Sequence, residues 1–127
     1  MTPEEFMAAE MRTPIVWGFS DCIHTADRWC QLRGPSFVAG SGVDFQSEAE
    51  AEAMLGERAM PLWVARAMRA AGYHMTQTPQ PGDIGTIVVG DEIACAIRGA
   101  THWLYRSERG LSAAGPYARV LGAWDTR

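Results

Sequence analysis

The chain changes its periodicity once, and that change limits what it can fold into more than any other feature. Up to Gly72 the apolar residues recur at helical spacing; beyond Pro79 they fall into short β-branched or aromatic runs. Ile84 to Val89, Glu92 to Arg98 and His102 to Arg106 read as three strands, with Gly90-Asp91 and Gly99-Ala100 as the turns between them. Shorter strands are expected over Leu111 to Ala113 and Arg119 to Trp124. Helices first and an antiparallel meander second predict an α+β arrangement. A length of 127 residues suits a single domain over 1–127.

The helical half carries its own punctuation. Thr2-Pro3-Glu4-Glu5 is a capping box, with Pro3 suited to the first helical position, and it predicts a helix to about Met11. Ser20-Asp21 opens a second helix, Asp21 to about Arg33, stopped by Gly34-Pro35. Its apolar members Cys22, Ala26, Trp29 and Cys30 share one face. Residues 34–46 are rich in Gly, Ser and Pro and are expected to form an irregular loop. Ser47 then caps a short helix ending near Gly56, and a separate helix is expected from about Met60 to Ala71, with Gly72 as its stop.

Composition excludes several function classes. Basic residues number 11 against 15 acidic, every one of the basic residues is Arg, and the net charge is −4. No Lys nucleophile or Schiff base is therefore available, and the balance lacks the footprint of a nucleic-acid binder. No apolar run approaches the roughly 20 residues that a membrane helix needs, so no membrane insertion is expected. The acidic Met1-Thr2-Pro3-Glu4-Glu5 start does not read as a signal peptide. Cys22 and Cys30 fall about 12 Å apart on one helix, too far for a disulfide, and the three thiols are expected to be reduced.

The segment with chemical content is Trp17-Gly18-Phe19-Ser20-Asp21-Cys22. It puts a cysteine in the first turn of a helix apolar enough to be central. The unpaired amides and dipole at that end favour an anion, which is how a cysteine nucleophile is activated. The plainer alternative is that Cys22 is a small apolar residue suited to a buried turn. Cys30 and Cys95 read as core residues. No metal or other cofactor is expected, because Cys22-x-His24 is a poor chelate on one helix. Gly40-Ser41-Gly42 lacks the strand and Lys of a phosphate loop. Trp17, Trp63, Trp103 and Trp124 read as core, with a protein interface as the alternative.

Trp17-Gly18 followed by Asp21-Cys22, and Pro81-Gly82-Asp83-Ile84 entering the meander, resemble the NlpC-type cell-wall cysteine peptidases, small papain-like α+β domains. With Gly122-Ala123-Trp124 near the C-terminus, the chain more narrowly resembles the branch of that superfamily encoded in phage and prophage tail gene clusters. The resemblance covers about residues 14–124. It implies a central Cys-bearing helix on a C-terminal antiparallel sheet, with Cys22 as nucleophile, Asp21 as helix cap and Asp83 as a structural turn residue. It further implies cleavage of peptidoglycan stem peptides during entry, other tail-tip or hub proteins as partners, and a place in the virion tail after assembly in the host cytoplasm. The alternative it leaves open is an inactive structural tail-tip protein.

One departure bears on the chemistry. In the active peptidases a His opens the strand facing the Cys, whereas the corresponding stretch here is Ile93-Ala94-Cys95-Ala96-Ile97-Arg98-Gly99, so Ile93 stands at the His position. Of the three histidines, His24 is roughly 200° around the helix from Cys22 and reads as a solvated or packed helix residue. His74 reads as a loop residue. His102 begins a strand and is the substitute base expected to face Cys22, with cross-strand packing or surface exposure as the alternative.

Overall fold

The computed structural model describes residues 1–16, 21–41 and 47–126. Helix α1 (Pro3–Glu10) begins at the expected capping box: Thr2 Oγ1 accepts the Glu5 amide at 3.1 Å and the Glu5 carboxylate accepts the Thr2 amide at 3.4 Å. Helix α2 (Cys22–Gln31) is capped by Asp21, whose carboxylate accepts the His24 amide at 2.9 Å. Thr2 and Asp21 each satisfy an amide that the helix itself leaves open.

Two helical expectations need correction. The stretch expected as a loop over 34–46 contains a short helix, α3 (Phe37–Ser41), with 42–46 outside the described residues. Its start is held by Asp27 of α2, which is buried and accepts the amides of Phe37 (2.8 Å) and Val38 (3.2 Å), the Ser36 hydroxyl (2.7 Å) and the Gln31 amide (3.0 Å). That cap comes from a residue ten positions upstream, which local punctuation does not reveal. Replacing it, Asp27→Ala, is expected to cost about 2–4 kcal/mol, because two buried amides lose charge-assisted acceptors. Urea unfolding measures this, and a loss below about 1 kcal/mol would show that α3 holds its position without the carboxylate.

The second correction concerns α4. The two helices expected on either side of Gly56 are one, α4 (Glu48–Ala70), capped by Ser47 and continuous through Pro61. A mid-helix Pro costs about 3 kcal/mol. The buried Met60, Val64, Ala67 and Met68 on the docked face offset it. Gly72 does end the helix, at φ +92°.

The second half is a six-stranded antiparallel sheet in the order β1-β6-β2-β3-β4-β5. Its strands are β1 (His74–Met75), β2 (Ile84–Val89), β3 (Glu92–Arg98), β4 (Trp103–Ser107), β5 (Gly110–Ala114) and β6 (Arg119–Asp125). The meander expectation holds for β2 to β5. Strand β6 then returns to lie between β2 and β1, so His74, expected in a loop, pairs with Asp125.

Alternation in β3 divides two cores. Ile93, Cys95 and Ile97 face the helices, where α2 lies across β3 and β4 with Trp29, Cys30 and Trp124 buried. Ala94 and Ala96 face the other side with Ile87, Trp103, Ala114 and Ala123. That face carries its own cover: a Cβ built on Gly85 would lie 2.6 Å from the Trp103 ring. Trp29, Trp103 and Trp124 are thus core, Trp63 is half-buried, and Trp17 lies outside the described residues.

Candidate active site

Cys22 is the first residue of α2 and sits where that helix meets β3. It is half-buried and lines a cavity of about 770 Å³ together with Ile93 and Ala94 of β3 and Arg106 of β4. The rim is charged, with Asp91 and Glu92 from the β2–β3 hairpin and Glu108 and Arg109 from the β4–β5 hairpin. The sequence reading therefore places Cys22 correctly at a helix start; the cavity beside it comes from the tertiary structure. Trp17, Gly18, Phe19 and Ser20, the first part of its motif, lie outside the described residues.

The electrostatics run against the expected activation. Burial is the largest influence on the Cys22 thiol and raises it from its ordinary 9.0 to about 11; the neighbouring Asp21 carboxylate adds to the rise. Amides of Cys95, Cys22 and Ile23 pull the other way without overcoming these. Desolvation removes the water that would stabilise a thiolate, and a capping carboxylate already occupies the positive end of the helix. A helix N-terminus alone does not activate a thiol under those conditions.

No imidazole reaches this thiol among the described residues. Ile93, which stands where the resemblance expects a histidine, faces the helices beside Cys22 with an aliphatic side chain. His102 lies elsewhere: it is exposed, its Nδ1 is 2.8 Å from Thr101 Oγ1, and its carbonyl accepts the Gly99 amide at 2.7 Å. Gly99 is six residues along the chain from Ile93, which lines the cavity with Cys22, a distance of about 20 Å in extended backbone. The proposed Cys22–His102 dyad is not brought together. Strand β4 does run beside β3 as expected, but it enters the sheet at the end remote from Cys22.

His24 is buried, not solvated, and its Nδ1 lies 2.7 Å from the Asp21 carboxylate. The Asp21–His24 spacing of three was the signal for this pair, since i,i+3 side chains meet on a helix. Arg106 was not anticipated. It is 4% exposed and donates through Nη1 to the Glu10 carbonyl (2.6 Å) and through Nη2 to the Thr13 carbonyl. Its cation thus closes the C-terminal end of α1, where the helix dipole favours positive charge. The Glu10 carboxylate is in turn paired with Arg28 of α2. A lone Arg on the helix-facing side of an otherwise apolar strand was the visible clue.

Asp83 behaves as a turn residue. It is fully buried, accepts the Gln80 amide at 2.8 Å and the Thr126 amide at 3.4 Å, and follows Gly82 at φ +96°. Cys30 and Cys95 are buried in the core as expected, and all three thiols are free. Among the described residues no group of His, Cys, Asp and Glu could hold a metal ion, and no helix is long and apolar enough to cross a membrane.

No curated protein and no solved structure matches the chain. One family model spans residues 2–126, taking in the Cys22 helix, the cavity and the whole sheet. On that span the chain belongs to the family described as "Domain of unknown function (DUF6950)".

Proposed function

We propose that this chain is a structural component of a phage or phage-like tail tip that keeps an NlpC-type, papain-like fold and does not hydrolyse peptidoglycan. The observation that carries the reading is that Cys22 and the aliphatic Ile93 line one cavity with no imidazole among its described lining residues, while burial pushes the Cys22 thiol up. Without an imidazole a cysteine hydrolase forgoes about 10²–10⁴-fold in rate. The NlpC-type assignment is supported by a helix that begins at Cys22, lies on an antiparallel sheet, and meets a Pro81-Gly82-Asp83 turn entering that sheet. The tail location, with other tail-tip or hub proteins as partners, rests on the motifs shared with the phage branch.

The second reading is a working peptidase with Cys22 as nucleophile, and the open cavity beside the thiol is what favours it. One assay separates the two. Purified protein and Cys22→Ala are incubated with insoluble peptidoglycan, and newly exposed amino groups are counted. The structural reading expects the two proteins to be indistinguishable. Amine release by the natural protein that disappears in Cys22→Ala overturns it. Mass spectrometry of density-purified particles tests the location, and absence of the chain from them removes the tail assignment.

A further inference from the structure

Strand β5 forms one end of the sheet, and among the described residues its outer side is bare. It pairs with β4 in unbroken register from Ser107↔Gly110 to Trp103↔Ala114. Ser107 and Gly110 close a tight hairpin, which makes them a hydrogen-bonded pair, so the ladder bonds to β4 fall at Gly110, Ser112 and Ala114. The N–H and C=O groups of Leu111 and Ala113 therefore point outward, and neither residue's backbone has another partner among the described residues. Sheet edges are ordinarily guarded by a charge, a proline, a bulge or short length. The opposite edge, β1, is two residues long, and the stretch of β6 that runs on beyond β1 begins at the charged Arg119. Strand β5 has five residues, none charged, no proline and no register shift, and its Leu111 is 48% exposed.

We infer that two copies of this chain pair through β5, edge to edge and antiparallel, so that their sheets become one. The two-fold axis passes through Ser112. Leu111 then stands opposite Ala113 of the partner subunit, and Ala113 opposite Leu111 of the partner subunit. Each of these pairs exchanges both of its N–H···O bonds, which satisfies the outward groups of both edges. The side chains fit the same register. Leu111 and Ala113 share the sheet face that carries Leu104 and Arg106. On each side of the axis a large apolar residue therefore meets a small one, and the exposed leucines gain apolar neighbours. A strand without charge suits its own copy, because no like charges are set against each other across the axis. Glu108 and Arg109 lie in the hairpin loop, outside the paired span. Each chain offers one such edge, so the pairing closes at two copies. A five-residue strand is only about 17 Å long, well short of a standard interface, so association is reversible and depends on concentration. The pairing holds whether or not the chain belongs to a tail tip.

Sedimentation equilibrium of the full chain from about 5 to about 500 μM tests it. The mass is expected to rise from 13.9 kDa toward twice that value. Leu111→Lys puts a charge on the edge, and Ala113→Pro removes an outward N–H that β4 does not use. Each should weaken association by about tenfold or more. Val120→Lys, on the free stretch of β6, should leave association unchanged. Ser112→Cys reports the register without disrupting it. Facing residues of a non-hydrogen-bonded pair have Cα atoms about 4.5 Å apart, within the reach of a disulfide. Mild oxidation of that variant should give a covalent dimer whose peptide map joins the two introduced thiols. A mass that stays at 13.9 kDa throughout overturns the proposal. So does a dimer that Leu111→Lys leaves intact or that Val120→Lys abolishes. Absence of the bridge between introduced thiols, with the dimer populated, overturns the register and the pairing with it.

Discussion

Alkylation of Cys22 is expected to follow a pH profile that inflects near 11 instead of near 9, and to be at least tenfold slower at pH 8 than that of an unhindered thiol. The sign follows from which form reacts. Burial disfavours the charged thiolate, so the neutral thiol persists and the reactive fraction at pH 8 drops about 100-fold for a rise from 9.0 to about 11. The more basic sulfur is a better nucleophile by about eightfold, which returns part of that loss. Iodoacetamide labelling with peptide-level mass spectrometry gives the profile, and buried Cys30 and Cys95 serve as internal controls for unfolding. Ile93→His puts an imidazole beside the thiol and should raise the rate at pH 8 by tenfold or more. A natural protein whose Cys22 titrates at or below 9 would remove the main support for a non-hydrolytic domain.

Trp29→Ala is expected to be the most damaging single substitution in the core, at about 4 kcal/mol, or roughly a thousandfold in the ratio of folded to unfolded chain. Trp29 is 1% exposed, lies 5.4 Å from the Phe6 ring between centroids, and has the Arg33 guanidinium 4.6 Å above it. Its indole N–H donates to the Gly82 carbonyl at 2.7 Å, which ties α2 to the turn that enters the sheet. Truncation removes a large buried volume and that tether together. Trp29→Phe separates the two losses. It keeps most of the ring, and the Gly82 carbonyl retains the Thr126 hydroxyl at 2.5 Å, so no buried acceptor is orphaned. The Phe variant should therefore cost well under half as much as the Ala variant in urea unfolding. Equal costs would mean that the tether, and not the buried volume, dominates.

Much of this architecture is legible along the chain because its causes are local. The Thr2 and Glu5 exchange and the Asp21 cap act over three residues. Strands β2 to β5 alternate between faces at a period of two and turn at Gly90 and Gly110, both at positive φ. What the chain order hides is contact between distant segments. The two-residue strand β1 exists because β6, fifty residues later, pairs with it. Helix α3 starts where Asp27 reaches it, and α4 runs through Pro61 because its apolar face is docked.

The candidate site divides along the same line. A cysteine at a helix start and a capping aspartate before it are properties of residue order, and they hold at residues 21 and 22. Whether Cys22 is a thiolate or a thiol depends on how much water surrounds it, and that is set by β3 lying against α2. The place of His102, too, was decided by sheet register: β4 begins opposite the far end of β3, away from the thiol. Hydrogen bonds within one turn of helix can be read from spacing, but desolvation and distance are sums over neighbours that only the folded chain assembles.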